Sequence, residues 1–161
     1  MEQNLWQLSA CELQHRYRDG SLSPVAVVQA VLARIDAVNS RLNAVVSRRD
    51  AAVLAEAEAS ARRYAAGQPL SAIDGVPLTV KDSLYLADLP TTCGTPALAG
   101  HRPGHDELAA ARARAAGALI LGKTNVPELA KEGYTANPLF GVTGNPWAPE
   151  LTPGGSSGGA V

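Results

Sequence analysis

Val27, Val28, Val31, Leu32 and Ile35 recur at the three- and four-residue spacing that gathers apolar side chains on one helical face. Ser23-Pro24 precedes them as an N-cap with proline at the first helical position, so the pattern predicts a helix ending near Asn39. A shorter helix is predicted ahead of it. Ser9-Ala10-Cys11-Glu12 has the form of a capping box, hydroxyl first and carboxylate three residues on, and Gly20 bounds the far end beyond Arg18. From Asp50 to Ala66 the chain is alanine-rich, with Glu56, Glu58, Arg62 and Arg63 spread over one side, which predicts a third, partly exposed helix closed by Gly67.

The texture changes at Gln68-Pro69, where proline and glycine become frequent and apolar segments shorten to strand length. Leu78-Thr79-Val80 is a candidate strand, Asp106–Ala116 a candidate helix stopped by Gly117, and Ala118-Leu119-Ile120-Leu121 a buried strand. Strand, helix, strand in that order predicts an α/β fold, a mixed sheet flanked by helices. The expected organisation is a helical lead-in over residues 1–67 and the start of the α/β core over residues 68–161.

Composition narrows the classes. With 46% hydrophobic and 18% charged residues the chain is globular, and with only 4% aromatics its core must be built from Ala, Leu and Val. A net charge of −1, from 14 basic and 15 acidic residues, leaves no broad footprint for nucleic acid or an anionic membrane. No apolar run approaches the roughly 20 residues of a membrane span, and Met1-Glu2-Gln3-Asn4 opens no secretory leader. A cytoplasmic setting is expected, with Cys11 and Cys93 as reduced thiols.

Three motifs carry candidate chemistry. Gly117 to Thr124 satisfies the phosphate-loop pattern, but its four middle residues are themselves the apolar strand and a helix precedes them, the wrong order for a nucleotide cradle. Cys93 with His101 or His105 would make a thiol nucleophile and base, yet a cysteine in Thr-Thr-Cys-Gly more commonly serves packing or a turn. Arg102-Pro103-Gly104 between the two histidines argues for an irregular loop, not a metal site, and no metal or cofactor is expected. The third is a pair: Lys81, ending the apolar segment Gly75–Val80, and Ser156 in Thr152-Pro153-Gly154-Gly155-Ser156-Ser157-Gly158-Gly159. A free lysine titrates at about 10.4, so service as a base near neutrality asks for a fall of roughly 3, which burial supplies by disfavouring the ammonium. The bland alternative is an exposed Lys81 paired with Asp82. A serine hydroxyl both accepts and donates, so Ser156 suits a proton relay, and flanking glycines let the backbone approach a substrate.

Asp74-Gly75-Val76-Pro77-Leu78-Thr79-Val80-Lys81-Asp82, Thr91-Thr92-Cys93-Gly94-Thr95, Gly122-Lys123-Thr124-Asn125, Asn137-Pro138-Leu139-Phe140-Gly141 and the serine run together resemble the amidase signature enzymes. The likeness is strong over residues 70–161. It implies hydrolysis of a carboxamide C–N bond by two serines and a lysine, with Lys81 as base, Ser156 as the bridging serine after a cis peptide bond, and Gly154, Gly155, Ser157 and Gly158 shaping the site. It implies a small-molecule amide substrate, no cofactor, and a homo-oligomer or partner subunits. The attacking serine of that family lies in a further Gly-Gly-Ser segment downstream, which these 161 residues do not contain. The chain is therefore expected to be a fragment inactive alone. Two further readings are the glutamine-hydrolysing subunit of a transfer-RNA-dependent amidotransferase and a non-catalytic remnant.

Overall fold

The computed structural model describes residues 4–160; Met1–Gln3 and Val161 lie outside them, and with them most of the segment read for a secretory leader. In chain order the elements are α1 (Ala10–Arg18), α2 (Pro24–Leu42), β1 (Val45–Arg48), α3 (Asp50–Ala65), β2 (Pro77–Lys81), α4 (Leu108–Ala115), β3 (Leu119–Thr124), β4 (Ala136–Asn137) and β5 (Gly141–Val142), joined by loops and single 3-10 turns.

Local chemistry accounts for the helix ends. Ser9 accepts from the Glu12 N–H while the Glu12 carboxylate takes the Ser9 N–H, the reciprocal capping box read from the sequence. Ser23 Oγ accepts from Val25 N at the start of α2, and Gly67, at φ +68°, follows the end of α3. Helix α4 begins at Leu108 and not at Asp106. Asp106 Oδ1 instead accepts from Ala87 N, and Glu107 exchanges bonds with the Tyr85 backbone, so both residues hold the 85–87 loop.

β1, β3 and β2 form a three-stranded sheet in that order, and β4 pairs with β5 in a small hairpin. β1 runs antiparallel to β3, with Val45 opposite Thr124 and Arg48 opposite Gly122. Bonds from Leu119 N to Val76 O and from Asp82 N to Thr124 O rise together along both chains, which makes β2 and β3 parallel. The sheet is mixed, as the strand and helix order predicted. β3 runs three residues further than the apolar pattern indicated, through Gly122, Lys123 and Thr124.

The chain divides into two compact units. The first comprises residues up to Asp36, Arg49–Leu78 and Ala111–Leu121. Its core packs Val28 and Leu32 of α2, Val53 and Ala57 of α3, and Leu119 and Leu121 of β3. At its edge the buried Asp74 carboxylate takes bonds from Arg63 Nε and Nη2 (2.8 and 2.6 Å), Ser60 Oγ (2.8 Å) and Leu70 N (2.9 Å). Burial pushes the Asp74 pKa up, but Arg63 and the other donors outweigh it and hold the carboxyl below its ordinary value.

The second unit comprises Ala37–Arg48, Thr79–Ala110 and the residues from Gly122 on, and polar contacts organise it. Asn125 is their hub: its N–H donates to Ala44 O (2.8 Å), its side-chain amide donates to Thr143 Oγ1 (2.9 Å), and its side-chain oxygen accepts from Asn137 Nδ2 (2.7 Å). Thr143 Oγ1 in turn donates to Asn43 O (2.7 Å). Each of these buried polar groups is satisfied, which fixes the loops around the end of β3 without aromatic packing.

Candidate active site

Lys81 is the last residue of β2 and Ser156 lies in the glycine-rich loop near the carboxyl end. Lys81 Nζ donates to Ser156 Oγ across 2.7 Å, with both residues half-buried. The Gly155–Ser156 peptide bond is cis, the form the resemblance implies.

Thr135 clamps the serine loop from beneath. Its hydroxyl donates to Gly154 O (2.8 Å) and accepts from Gly158 N (3.1 Å), gripping the loop on both sides of Ser156. Gly158 has to be glycine for this approach, since a Cβ there would collide with Thr135 Oγ1. Gly154, at φ +94°, occupies left-handed backbone that side chains rarely adopt. Gly159 N adds a bond to Asn125 O (3.3 Å), tying the loop to the residue after β3. Gly155 packs against the 132–134 backbone, and Ser157 is exposed, with no hydrogen bond to its side chain among the described residues.

Asp82 does not pair with Lys81. Its carboxylate is buried, lies 3.4 Å from Lys123 Nζ, and accepts from the Thr92 hydroxyl. Lys123 is wholly buried and donates also to Thr91 Oγ1. Burial lowers the Lys123 pKa, and the Asp82 charge works against that fall. The lysine of the phosphate-loop pattern is thus locked inside the fold by a carboxylate, in a strand and not at a helix start.

The thiol alternative fails on geometry. His101 and His105 both pack edge-on against Tyr85, with ring centroids 5.7 and 5.5 Å away, and no hydrogen bond joins either ring to Cys93 among the described residues. Burial first, and then the Asp82 charge, raise the Cys93 pKa, which disfavours the thiolate. No group of three or more potential metal ligands occurs among the described residues.

The structure therefore brings Lys81 and Ser156 together, with Gly154, Gly155, Ser157 and Gly158 around the serine. Reasoning on the sequence missed Thr135 and Asn125, which hold the serine loop, and the buried Lys123–Asp82 pair, which holds the 91–93 segment. Asn125 and Lys123 stood in a motif already singled out, but Thr135 in Gly-Tyr-Thr-Ala carries no local signal.

A family model described as Amidase matches residues 26–160. A glutamyl-tRNA(Gln) amidotransferase subunit from Salinispora arenicola is 44% identical over 158 residues, covering 98% of this chain and 32% of its own. Among solved structures, a bacterial aryl acylamidase of the amidase signature family superposes with a TM-score of 0.92 at 32% identity, covering 98% of this chain and 33% of its own. The native peptide amidase of Stenotrophomonas maltophilia gives 0.86 at 35% identity, with coverage of 95% and 33%. The chain belongs to the amidase family, the amidase signature enzymes. It spans about a third of the length of the relatives it matches.

Proposed function

We propose that this chain carries the base and relay portion of an amidase that hydrolyses a carboxamide C–N bond. The observation that carries the reading is the 2.7 Å bond between Lys81 Nζ and Ser156 Oγ. In the proposed cycle a neutral Lys81 takes the Ser156 proton while Ser156 takes the proton of the attacking serine, which forms a bond to the amide carbon. The proton returns through Ser156 to the departing amine as the C–N bond breaks, and water then releases the acyl group by the reverse relay. Gly154, Gly155, Ser157 and Gly158 shape the floor of the site. The substrate is a small-molecule amide, no cofactor is needed, and the setting is the cytoplasm, a placement that the two free thiols favour.

The attacking serine belongs to a further Gly-Gly-Ser segment, so the 161 residues alone should show no turnover. Reading the gene past the Val161 codon tests this first. An open frame with that segment predicts an active complete protein, in which Lys81→Ala or Ser156→Ala lowers kcat by about 100-fold or more, the usual scale of lost acid–base catalysis. A stop codon there would favour the non-catalytic remnant.

A second reading draws on the 44% identity to a glutamyl-tRNA(Gln) amidotransferase subunit. Here the amide is glutamine and the ammonia passes to a transfer-RNA-bound substrate within a complex of partner subunits. Ammonia release from glutamine that requires added subunits selects this reading; release by the complete protein alone selects a stand-alone amidase.

A further inference from the structure

Ser156 and Ser157 are flanked by two glycines on either side, residues whose backbone carries little preference for any one shape. A contact from outside the run has to select that shape. Lys81 and Ser156 meet across 2.7 Å, so a small displacement of the loop would break their bond.

Thr135 is placed to make the selection. It is 1% exposed, and its one hydroxyl donates to Gly154 O and accepts from Gly158 N, two residues before Ser156 and two after it. The hydroxyl proton is committed to Gly154, which leaves Ser156 Oγ to Lys81. Thr152 reaches only the near side, where its exposed hydroxyl takes Gly154 N (3.1 Å). Gly158 comes so close that a Cβ would overlap the Thr135 hydroxyl, and Gly155 lies against the 132–134 backbone just ahead of Thr135.

Thr135 is itself fixed to the strand beside Lys81. Its carbonyl accepts from Thr143 N (3.0 Å), it leads into β4, and Asn137 of β4 donates to Asn125 Oδ1 and Val126 O, both at 2.7 Å. On the other side, Asp82 N donates to Thr124 O (3.0 Å), which ties the end of β2 to the same stretch of chain. Lys81 and Ser156 are thus both referred to residues 124–126, Lys81 through its strand and Ser156 through Thr135.

We propose that Thr135 is a positioning residue: its hydroxyl, bonded on both sides of Ser156, sets the place of Ser156 Oγ relative to Lys81 Nζ. The inference rests on the reading of Lys81 and Ser156 as base and relay.

The test uses the 161-residue chain, with Lys81 acetylated by an N-hydroxysuccinimide ester at pH 8 and measured by peptide mass spectrometry against an added lysine peptide. Amide hydrogen exchange over residues 152–160 is read in parallel. Thr135→Val keeps the branched shape and loses the hydroxyl. Loss of two net hydrogen bonds is expected to speed loop exchange about tenfold, and Lys81, released from Ser156 for more of the time, to acetylate about fivefold faster. Thr135→Ser keeps the hydroxyl and is expected to hold both rates within about twofold of the parent.

Faster loop exchange with unchanged Lys81 acetylation overturns the proposal, since the clamp would then serve the fold alone. Unchanged rates in Thr135→Val overturn it too, as does a Thr135→Ser variant that follows Thr135→Val. Should Thr135→Val lack the parent's far-UV spectrum, Thr135→Ala, which leaves space instead of a methyl against the loop, replaces it with the same expected rates. Ser156→Ala removes the acceptor itself and should speed Lys81 acetylation at least as much as Thr135→Val. Acceleration in Ser156→Ala alone overturns the positioning role and leaves the Lys81–Ser156 bond standing; acceleration in neither removes the bond and the relay reading with it. Acceleration in Thr135→Val alone would be an effect that bypasses Ser156, and it overturns the proposal.

Discussion

Single residues with buried charge set the local stability of this chain, and Asp74 is the clearest case. Its carboxylate is fully enclosed and takes four hydrogen bonds, two of them from Arg63. Arg63→Ala would leave a buried carboxylate without its cation, a change that ordinarily costs about 3–5 kcal/mol. Chemical denaturation should show that loss as a lower midpoint with an unchanged slope. The sign of the pH dependence follows from the lowered Asp74 pKa. A carboxyl whose folded pKa lies below its unfolded value of about 3.9 contributes stability that is fully present above that value and lost as pH falls through the folded one. The advantage of the parent over Asp74→Asn should therefore be level above about pH 5 and shrink below about pH 4. A difference that grows on acidification would contradict the assignment.

Among the elements, the helices were legible because their signals are local. Ser9 with Glu12, Ser23 with Pro24, and the Val27–Ile35 spacing each fix a helix within a few residues of chain. Ser9→Ala removes the hydroxyl half of the capping box, and α1 should lose about 1 kcal/mol. Amide exchange in α1, faster in the variant and unchanged in α2, would check it. The strands were legible only where they were apolar. β1 escaped because Val45–Arg48 is four residues between two helices and its pairing partner Thr124 lies far along the chain. The β4–β5 hairpin escaped because its strands are two residues each. The polar end of β3 escaped because burial of Lys123 depends on Asp82, a partner no periodicity reveals. The candidate site divides the same way. Lys81 and Ser156 were legible from chemistry and motif, whereas Thr135, which grips the serine loop, becomes visible only when distant backbone carbonyls and amides meet.

Across the whole molecule, the feature with the largest physical consequence is apolar surface in the second unit. Leu129, Tyr134, Val142, Trp147 and Leu151 are all exposed, Trp147 at 87%. Large apolar side chains left in water favour association, at about 25 cal/mol for each Å² they bury. The relatives that this chain matches are about three times as long, so comparable surfaces in them have further chain available to cover them. The 161 residues alone are therefore expected to self-associate, with a light-scattering mass that rises with concentration during size exclusion. Trp147→Ser with Leu151→Ser should increase the soluble fraction and reduce that rise, because both side chains are mostly exposed. A monodisperse monomer with a single cooperative melt would show instead that these side chains are tolerated singly, as scattered apolar residues are on most protein surfaces. Association would then have no part in how this amidase segment behaves.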